Sequence, residues 1–263
     1  MLADKITKYL EGEHHYSSDV LQSSCEQFGG SLARQLMGES QYEPRLRMSN
    51  LGSCPRKVWL QIAGEKGEPI NARTRMNFSF GDYVEVATVA IIRLMAEKEE
   101  YGIKIYEELV QGELEWEGIK GHADLPCSID GQDVVVEVKS MSNYGFREFC
   151  KNGPGDMWGY PAQLQAYLRA TGFDTGLWLG VRKETGHYAE YVELRDDDRY
   201  ANDAYVVMAQ INSPTKPSRP MWAVLTGEQE IKDVRCQYCD MKRPCWGPMT
   251  VEVIKNKPHY KVG

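Results

Sequence analysis

The chain has 263 residues, of which 42% are hydrophobic and 26% are charged, a composition typical of a folded globular protein and not of a disordered one. Its net charge of −7 excludes a uniformly basic surface, although a local basic region can coexist with an acidic exterior. The opening residues lack the pattern of a secretory signal, and no apolar run reaches about 18 residues. These features predict a cytoplasmic protein with no membrane span.

The N-terminal part of the chain is predicted to be helical. Residues 1–44 form an amphipathic helical segment that precedes the main domain, which we place at residues 45–250. A short helix is predicted to begin directly after Cys54, with Pro55 at its first position. A long helix is predicted over residues 78–100, where apolar residues recur with helical periodicity.

The periodicity changes to that of β-strands after this helix. Three strands in hairpin order are predicted at residues 103–110, 113–129 and 132–141. A helix over residues 160–172, a strand pair and a further helix follow, so the fold class is predicted as α/β, with a central mixed sheet flanked by helices. Residues 251–263 are interpreted as a loose basic tail.

Asp130 and Gly131 form a strong two-residue turn signal between the second and third of these strands. If this turn closes a hairpin, Asp124 lies directly opposite Glu137, with their Cβ atoms about 5 Å apart on one face. Lys139 follows two residues after Glu137 and therefore points to the same face. The valines at positions 134, 136 and 138 point to the other face, which is predicted to be the packed one.

Opposed carboxylates such as Asp124 and Glu137 repel each other unless a cation lies between them. Their spacing suits Mg²⁺ or Mn²⁺, and Lys139 could position or activate an attacking water. The alternative is a solvated strand face on which Lys139 forms a surface ion pair. The spacing alone leaves both interpretations open.

Asp124 followed by Glu137-Val138-Lys139 resembles the core motif of the PD-(D/E)XK nuclease superfamily. Gln163 and Tyr167 in QLQAY resemble the Q-x-x-x-Y signature of its RecB-like branch, where the pair orients catalytic groups and contacts DNA. Glu85 lies where RecB-like nucleases often have a histidine metal ligand and viral recombination exonucleases a glutamate. A solvent-facing glutamate is the alternative for this position.

Four cysteines extend the resemblance to the iron–sulfur members of that branch, which include the AddB nuclease domain and CRISPR-associated RecB-like exonucleases. One cysteine stands in an S-x-C-P-R context and three follow a C-x2-C-x5-C pattern near the C-terminus. The resemblance implies that they bind a 4Fe–4S cluster joining distant segments of the nuclease core. Zinc remains the alternative metal, because four cysteines are also a structural zinc set. The four are Cys54, Cys236, Cys239 and Cys245.

The resemblance implies a metal-dependent DNA exonuclease that acts on single strands or duplex ends. Mg²⁺ or Mn²⁺ would be held by Glu85, Asp124, Glu137 and the Val138 carbonyl. Arg56, Lys57 and Tyr167 would bind DNA, the two basic residues through its phosphates. Trp158 and Tyr160 could stack on unpaired bases.

The alternative function is a nucleic-acid-binding end-processing or assembly factor in recombination or CRISPR adaptation, with cleavage secondary. A recombinase, a single-strand annealing protein or an integrase would be the partner. Strand polarity, exonuclease against endonuclease preference and oligomeric state are not predicted by any motif in the sequence.

Overall fold

The computed structural model describes residues 1–14, 17–37, 44–255 and 257–263, with the backbone alone at residues 199–202. In these ranges the strands, numbered in chain order, are β1 (Ile103–Ile105), β2 (Leu114–Trp116), β3 (Ile119–Gly121), β4 (Leu125–Ile129), β5 (Gln132–Met141), β6 (Thr175–Arg182), β7 (Tyr188–Leu194), β8 (Met249–Ile254) and β9 (Lys257–Val262). The central sheet has the order β1-β4-β5-β6-β7. Only β5 and β6 run parallel among its neighbouring strands, so the sheet is mixed.

Helices flank this sheet. They are α1 (Leu2–Leu10), α2 (Ser18–Met37), α3 (Pro55–Ile62), α4 (Ala72–Ala96), α5 (Glu107–Gln111), α6 (Asn143–Asn152), α7 (Tyr160–Thr171), α8 (Arg199–Ile211), α9 (Val234–Gln237) and α10 (Lys242–Trp246). The predicted mixed α/β architecture is therefore confirmed. No helix in the described ranges is long and apolar enough to cross a membrane.

The sheet is packed on both faces. On one face, Val134, Val136 and Val138 of β5 join a core cluster that includes residues of α1 and α4. On the other face, Val135 of β5 and Trp178 of β6 join a second cluster that includes residues of α7. A strand buried on both sides loses the clean alternation of apolar and polar residues, which explains the near-continuous valine run.

The predicted hairpin register is confirmed. Leu125 pairs with Val136, and Ile129 pairs with Gln132. Asp130 and Gly131 have φ values of 52° and 84°, the left-handed conformations that a tight two-residue hairpin turn needs. Asp124 lies one residue before β4 and, in this register, opposite Glu137.

The segment between α4 and β4 differs from the prediction of two long strands. Only Ile103–Ile105 of the first is extended, and Glu107–Gln111 forms α5. The second is divided into β2, β3 and β4 because a further two-residue turn, with positive φ at Glu117 and Gly118, closes a separate β2-β3 hairpin. The long helix α4 also begins earlier than predicted, where the Asn71 side chain accepts a hydrogen bond from the Thr74 amide.

The two ends of the chain are both packed against the rest of the molecule. Residues 1–44 are helical in their described part, as predicted, and Ile6 of α1 is completely buried in the core of the sheet. The interpretation of residues 251–263 as a loose tail is wrong, because β8 and β9 pair along their length. The Ile231 amide also donates to the Tyr260 carbonyl, which fixes this hairpin to the preceding segment.

Candidate active site

Strand β5 carries Glu137 and Lys139 on the face that α7 covers. The Lys139 ammonium donates to Oε2 of Glu137 at 2.9 Å. Glu137 has 0% exposure, so the solvated strand face that the spacing left open is not present here. This face is packed as well as the valine face, because α7 packs against β5 here, a tertiary contact that no local pattern indicates.

Asp124 is fixed at the point where β4 begins. Its Oδ2 accepts a hydrogen bond from the Val138 amide at 2.8 Å, so the carboxylate replaces a backbone partner that β4 would otherwise supply. In an antiparallel pair the amide and the carbonyl of one residue point to the same neighbouring strand. The Val138 carbonyl therefore points toward the same side as the Asp124 carboxylate, consistent with its predicted role as a metal ligand.

Helix α7 supports Glu137 through the Q-x-x-x-Y pair. The Gln163 side-chain amide donates to Glu137 Oε2 at 3.1 Å, and the Tyr167 hydroxyl shares a hydrogen bond with the Gln163 side chain. Tyr167 is only 1% exposed, and its ring packs so closely on Gly121 that a Cβ there would lie 3.0 Å from it. Tyr167 is therefore a buried residue that contacts Gln163, and its predicted contact with DNA stays a prediction.

Glu85 on α4 completes a group of three carboxylates. Its pKa is raised to about 9, first by the negative charge of Asp124, then by burial and by Glu137. The pKa of Glu137 is raised to about 7 by burial and by Asp124, and burial also raises the pKa of Asp124. The solvent-facing alternative for Glu85 is therefore not what the structure shows, since Glu85 interacts with both of the other carboxylates.

Lys139 supplies a positive charge beside these carboxylates. Burial acts to lower its pKa, but Glu137 and Asp124 outweigh that effect and raise the pKa above its ordinary value. Its ammonium also lies 5.4 Å from the ring centroid of Tyr160 and 5.8 Å from that of Trp178. In the absence of a metal, Lys139 thus donates a hydrogen bond to a carboxylate whose charge favours the protonated ammonium.

A divalent cation fits the chemistry of this donor set. Oε1 of Glu137 is buried and has no hydrogen-bond partner among the described residues, and leaving such an acceptor unpaired is costly. Three carboxylates face a single ammonium, which leaves an excess of negative charge. In the described ranges, no group of three or more His, Cys, Asp or Glu side chains is already arranged around one metal position.

The four cysteines lie around one cavity of about 570 Å³. Cys54 precedes α3, Cys236 belongs to α9 and Cys245 to α10, and Cys239 follows α9. Burial and then Cys239 raise the pKa of Cys236 to about 12, and burial raises that of Cys239 to about 11. These thiols are therefore protonated at neutral pH, and a metal would have to displace their protons.

An all-thiol set on one cavity fits either an iron–sulfur cluster or zinc by donor chemistry, although the thiols are not converged on one metal position in the described residues. The other cysteines do not line this cavity. Cys25 and Cys150 are exposed, and Cys127 is buried in the core of the sheet.

Arg56 and Lys57, predicted to bind DNA phosphates, contact the cysteine segment instead. Arg56 Nε donates to Cys245 Sγ at 3.2 Å, and its Nη1 donates to the Pro217 carbonyl at 2.6 Å. Lys57 forms an ion pair of 3.0 Å with Asp240. These contacts hold α3 to the C-terminal segment and give no support to a phosphate-binding role.

The two predicted stacking residues have different environments. Tyr160 packs against Trp178, with ring centroids 5.8 Å apart, and belongs to the packing around Lys139. Trp158 is 46% exposed and lines the cysteine cavity. Trp178 was not predicted as a site residue, because it comes next to Glu137 only through the parallel β5-β6 pairing, which no turn sequence fixes.

Comparison with known proteins shows similarity in fold. No protein-family model matches the chain, and no curated protein matches it. The crystal structure of SSO0001 is 17% identical, with a TM-score of 0.50 over 87% of this chain and 98% of that chain. An alkaline exonuclease from Laribacter hongkongensis is 16% identical, with a TM-score of 0.45 over 64% of this chain and 88% of that chain. A phage-related exonuclease from Haemophilus somnus 129PT is 14% identical, with a TM-score of 0.32 over 64% and 92% of the respective chains.

Proposed function

We propose that this protein is a metal-dependent nuclease that hydrolyses phosphodiester bonds in DNA. One observation carries the proposal. The buried carboxylate of Glu137 is held through Oε2 by Lys139 and Gln163, while its Oε1 has no hydrogen-bond partner in the described part of the chain. An ion pair between Glu137 and Lys139 would need no further carboxylate. A site for a divalent cation needs several, and Asp124 and Glu85 both interact with Glu137 here.

Glu85, Asp124, Glu137 and the Val138 carbonyl would hold Mg²⁺ or Mn²⁺. When bound, such an ion lowers the pKa of water and stabilises negative charge on a phosphate. Lys139 would donate a hydrogen bond to the attacking water or to a phosphate oxygen. Gln163 keeps Glu137 in one orientation, and Tyr167 keeps Gln163 in place. Action on single strands or duplex ends rests on the sequence resemblance.

We further propose that the four cysteines bind a 4Fe–4S cluster, with zinc as the rival. The shared cavity and the all-thiol composition support a metal, and the isolated position of Cys54 in the sequence favours the cluster, because zinc sites more often use two C-x-x-C pairs. Analysis of iron, sulfide and zinc in protein purified without oxygen distinguishes the two. A protein that contains neither metal would contradict this assignment.

The nuclease proposal is tested with end-labelled single-stranded and duplex DNA. Wild-type protein and Lys139→Ala are each incubated with Mn²⁺ and with chelator, and the products are resolved by length. We expect short products from the wild-type protein with Mn²⁺ alone. Equal cleavage by Lys139→Ala would contradict the catalytic assignment. Tight DNA binding without cleavage by either protein would favour an end-processing or assembly factor for a recombinase, annealing protein or integrase.

A further inference from the structure

We propose that Arg182 binds a backbone phosphate of the DNA strand that lies at the active site beside Lys139. The inference rests on the proposed function, because it names a contact to the substrate of that same site. Arg182 is the last residue of β6 and is not part of the motifs discussed above.

The sheet places Arg182 on the face that carries the catalytic lysine. In the parallel β5-β6 pair, Lys139 is the partner of Gly180 and Met141 is the partner of Arg182. Side chains two residues apart on a strand share a face, so Lys139, Met141 and Arg182 project to the same side. A Cβ on Gly180 would contact Phe149 and Met141 at 2.9 and 3.3 Å, which identifies this side as the one covered by α6.

The distance between Arg182 and Lys139 suits neighbouring phosphates of one DNA strand. Arg182 lies one strand across from Lys139 and two residues further along, which places their Cα atoms about 8 Å apart from standard strand dimensions. Two long basic side chains at that separation can reach a phosphate and its neighbour in one nucleic-acid strand.

The guanidinium of Arg182 has an unused donor. Its Nε is buried from solvent, and no hydrogen-bond partner is present for it in the ranges that the structure describes. A buried N–H without an acceptor costs free energy, so a side-chain movement that brings the guanidinium to an acceptor on a ligand is favoured. Phosphate oxygens are acceptors that the planar guanidinium matches well.

The charges around Arg182 also favour an anion. The adjacent Lys183 is exposed. The neighbouring carboxylate of Glu184 accepts a hydrogen bond of 3.1 Å from the Asn143 amide at the start of α6. This bond is the largest cause of the lowered pKa of Glu184, and Arg182 and Lys183 also lower it. Tyr144, which is 69% exposed in the first turn of α6, provides an aromatic surface beside the same strand ends.

Binding of a fluorescent single-stranded oligonucleotide tests the inference separately from cleavage. Dissociation constants are measured over a range of salt concentrations in Ca²⁺ buffer, with a gel confirming that the oligonucleotide stays intact. Wild type is compared with Arg182→Gln and Arg182→Lys, after thermal melting shows that each variant is folded. The control is Arg195→Gln, which removes the same charge next to β7 at the opposite end of the sheet, where Leu194 pairs with Thr175.

We expect Arg182→Gln to bind about tenfold more weakly, as for a lost charged hydrogen bond. Its slope of log affinity against log salt should fall by about 0.7, the value for one phosphate contact to a single strand. Arg182→Lys should keep the slope, and Arg195→Gln should match wild type.

An Arg182→Gln variant with wild-type affinity and slope, in a protein that still cleaves DNA, would overturn the inference and leave the nuclease proposal intact. The inference would also be overturned if Arg195→Gln weakened DNA binding as much as Arg182→Gln does. Arg182-dependent binding by a wild-type protein that never cleaves DNA would support the inference while the nuclease proposal fails. A wild-type protein that binds no DNA would overturn it.

Discussion

The side-chain amide of Gln163 lies 3.1 Å from Oε2 of Glu137 and joins α7 to the central strand of the sheet. The same oxygen accepts the hydrogen bond from Lys139, so two donors fix one end of a completely buried carboxylate. Its other oxygen, Oε1, has no hydrogen-bond partner among the described residues. The orientation of the proposed metal site is therefore set by a helix that follows β5 in the sequence.

Replacing Gln163 by alanine should weaken metal use without unfolding the protein. Hydrogen-bond partners of metal ligands typically contribute 10-fold to 100-fold in metal affinity or activity, so we expect a loss of about that size. The measurement is the Mn²⁺ concentration that gives half-maximal cleavage. Gln22→Ala, an exposed glutamine on α2, is the matched control. An unchanged Mn²⁺ requirement in Gln163→Ala would exclude the positioning role.

Tyr167 should contribute mainly to stability. Tyr167→Ala removes a buried ring and should lower the free energy of unfolding by about 3–5 kcal/mol, as for other buried aromatic residues. Tyr167→Phe retains the ring and should cost only about 1 kcal/mol for the lost hydrogen bond. Urea unfolding measures both. If Tyr167→Phe instead abolished DNA binding at unchanged stability, the hydroxyl would be a DNA contact after all.

The metal-free protein should lose stability as the pH rises from neutral toward 9. The pKa of Glu85 is about 9 in the folded protein and that of Glu137 about 7, both above the ordinary value of 4.5. The folded state therefore binds more protons than the unfolded state in this range, and the free energy of unfolding falls as pH increases.

Thermal melting in chelator between pH 6 and 9 measures this dependence, and added Mn²⁺ should reduce it by supplying positive charge. Glu85→Gln removes one of the raised groups and should flatten the curve. A Glu85→Gln protein with the wild-type pH dependence would show that Glu85 does not take part in the carboxylate group.

Loss of one cavity thiol should remove the structural metal. We expect Cys239→Ser to be purified with less metal and to melt at a lower temperature, because metal affinity at such a site contributes directly to folding stability. Cys25→Ser, which changes an exposed thiol on α2, should behave like wild type. Equal metal content in the two variants would contradict the assignment of the cavity.

The sequence predicted the hairpin register because its cause is local. Asp130-Gly131 supports a two-residue turn, and the turn alone sets which residues oppose each other. The burial of Glu137 could not be predicted, since it depends on where α7 packs. The same is true of Tyr167, whose neighbours Met48 and Gly121 are distant in sequence. Side-chain spacing on a helix gives a shared face but not the surroundings of that face.

Two other features of the fold are indicated by local sequence patterns. Apolar and polar residues alternate from Met249 to Ile254, which is the pattern of the strand that forms there. Glu117-Gly118 between two short apolar segments indicates a turn. By contrast, the contacts of Arg56 and Lys57 with the C-terminal segment follow only from the approach of α3 to residues far along the chain.

Hydrolysis of a labelled single-stranded oligonucleotide in Mn²⁺, compared between wild type and Asp124→Asn, tests whether the buried carboxylates form a catalytic metal site. The asparagine keeps the shape of the side chain and an acceptor for the Val138 amide but removes the charge that a metal ligand needs. We expect Mn²⁺-dependent product from the wild-type protein. From Asp124→Asn, folded as judged by its melting, we expect a cleavage rate lower by about 100-fold or more. An Asp124→Asn protein that cleaves at the wild-type rate would contradict the assignment of this site.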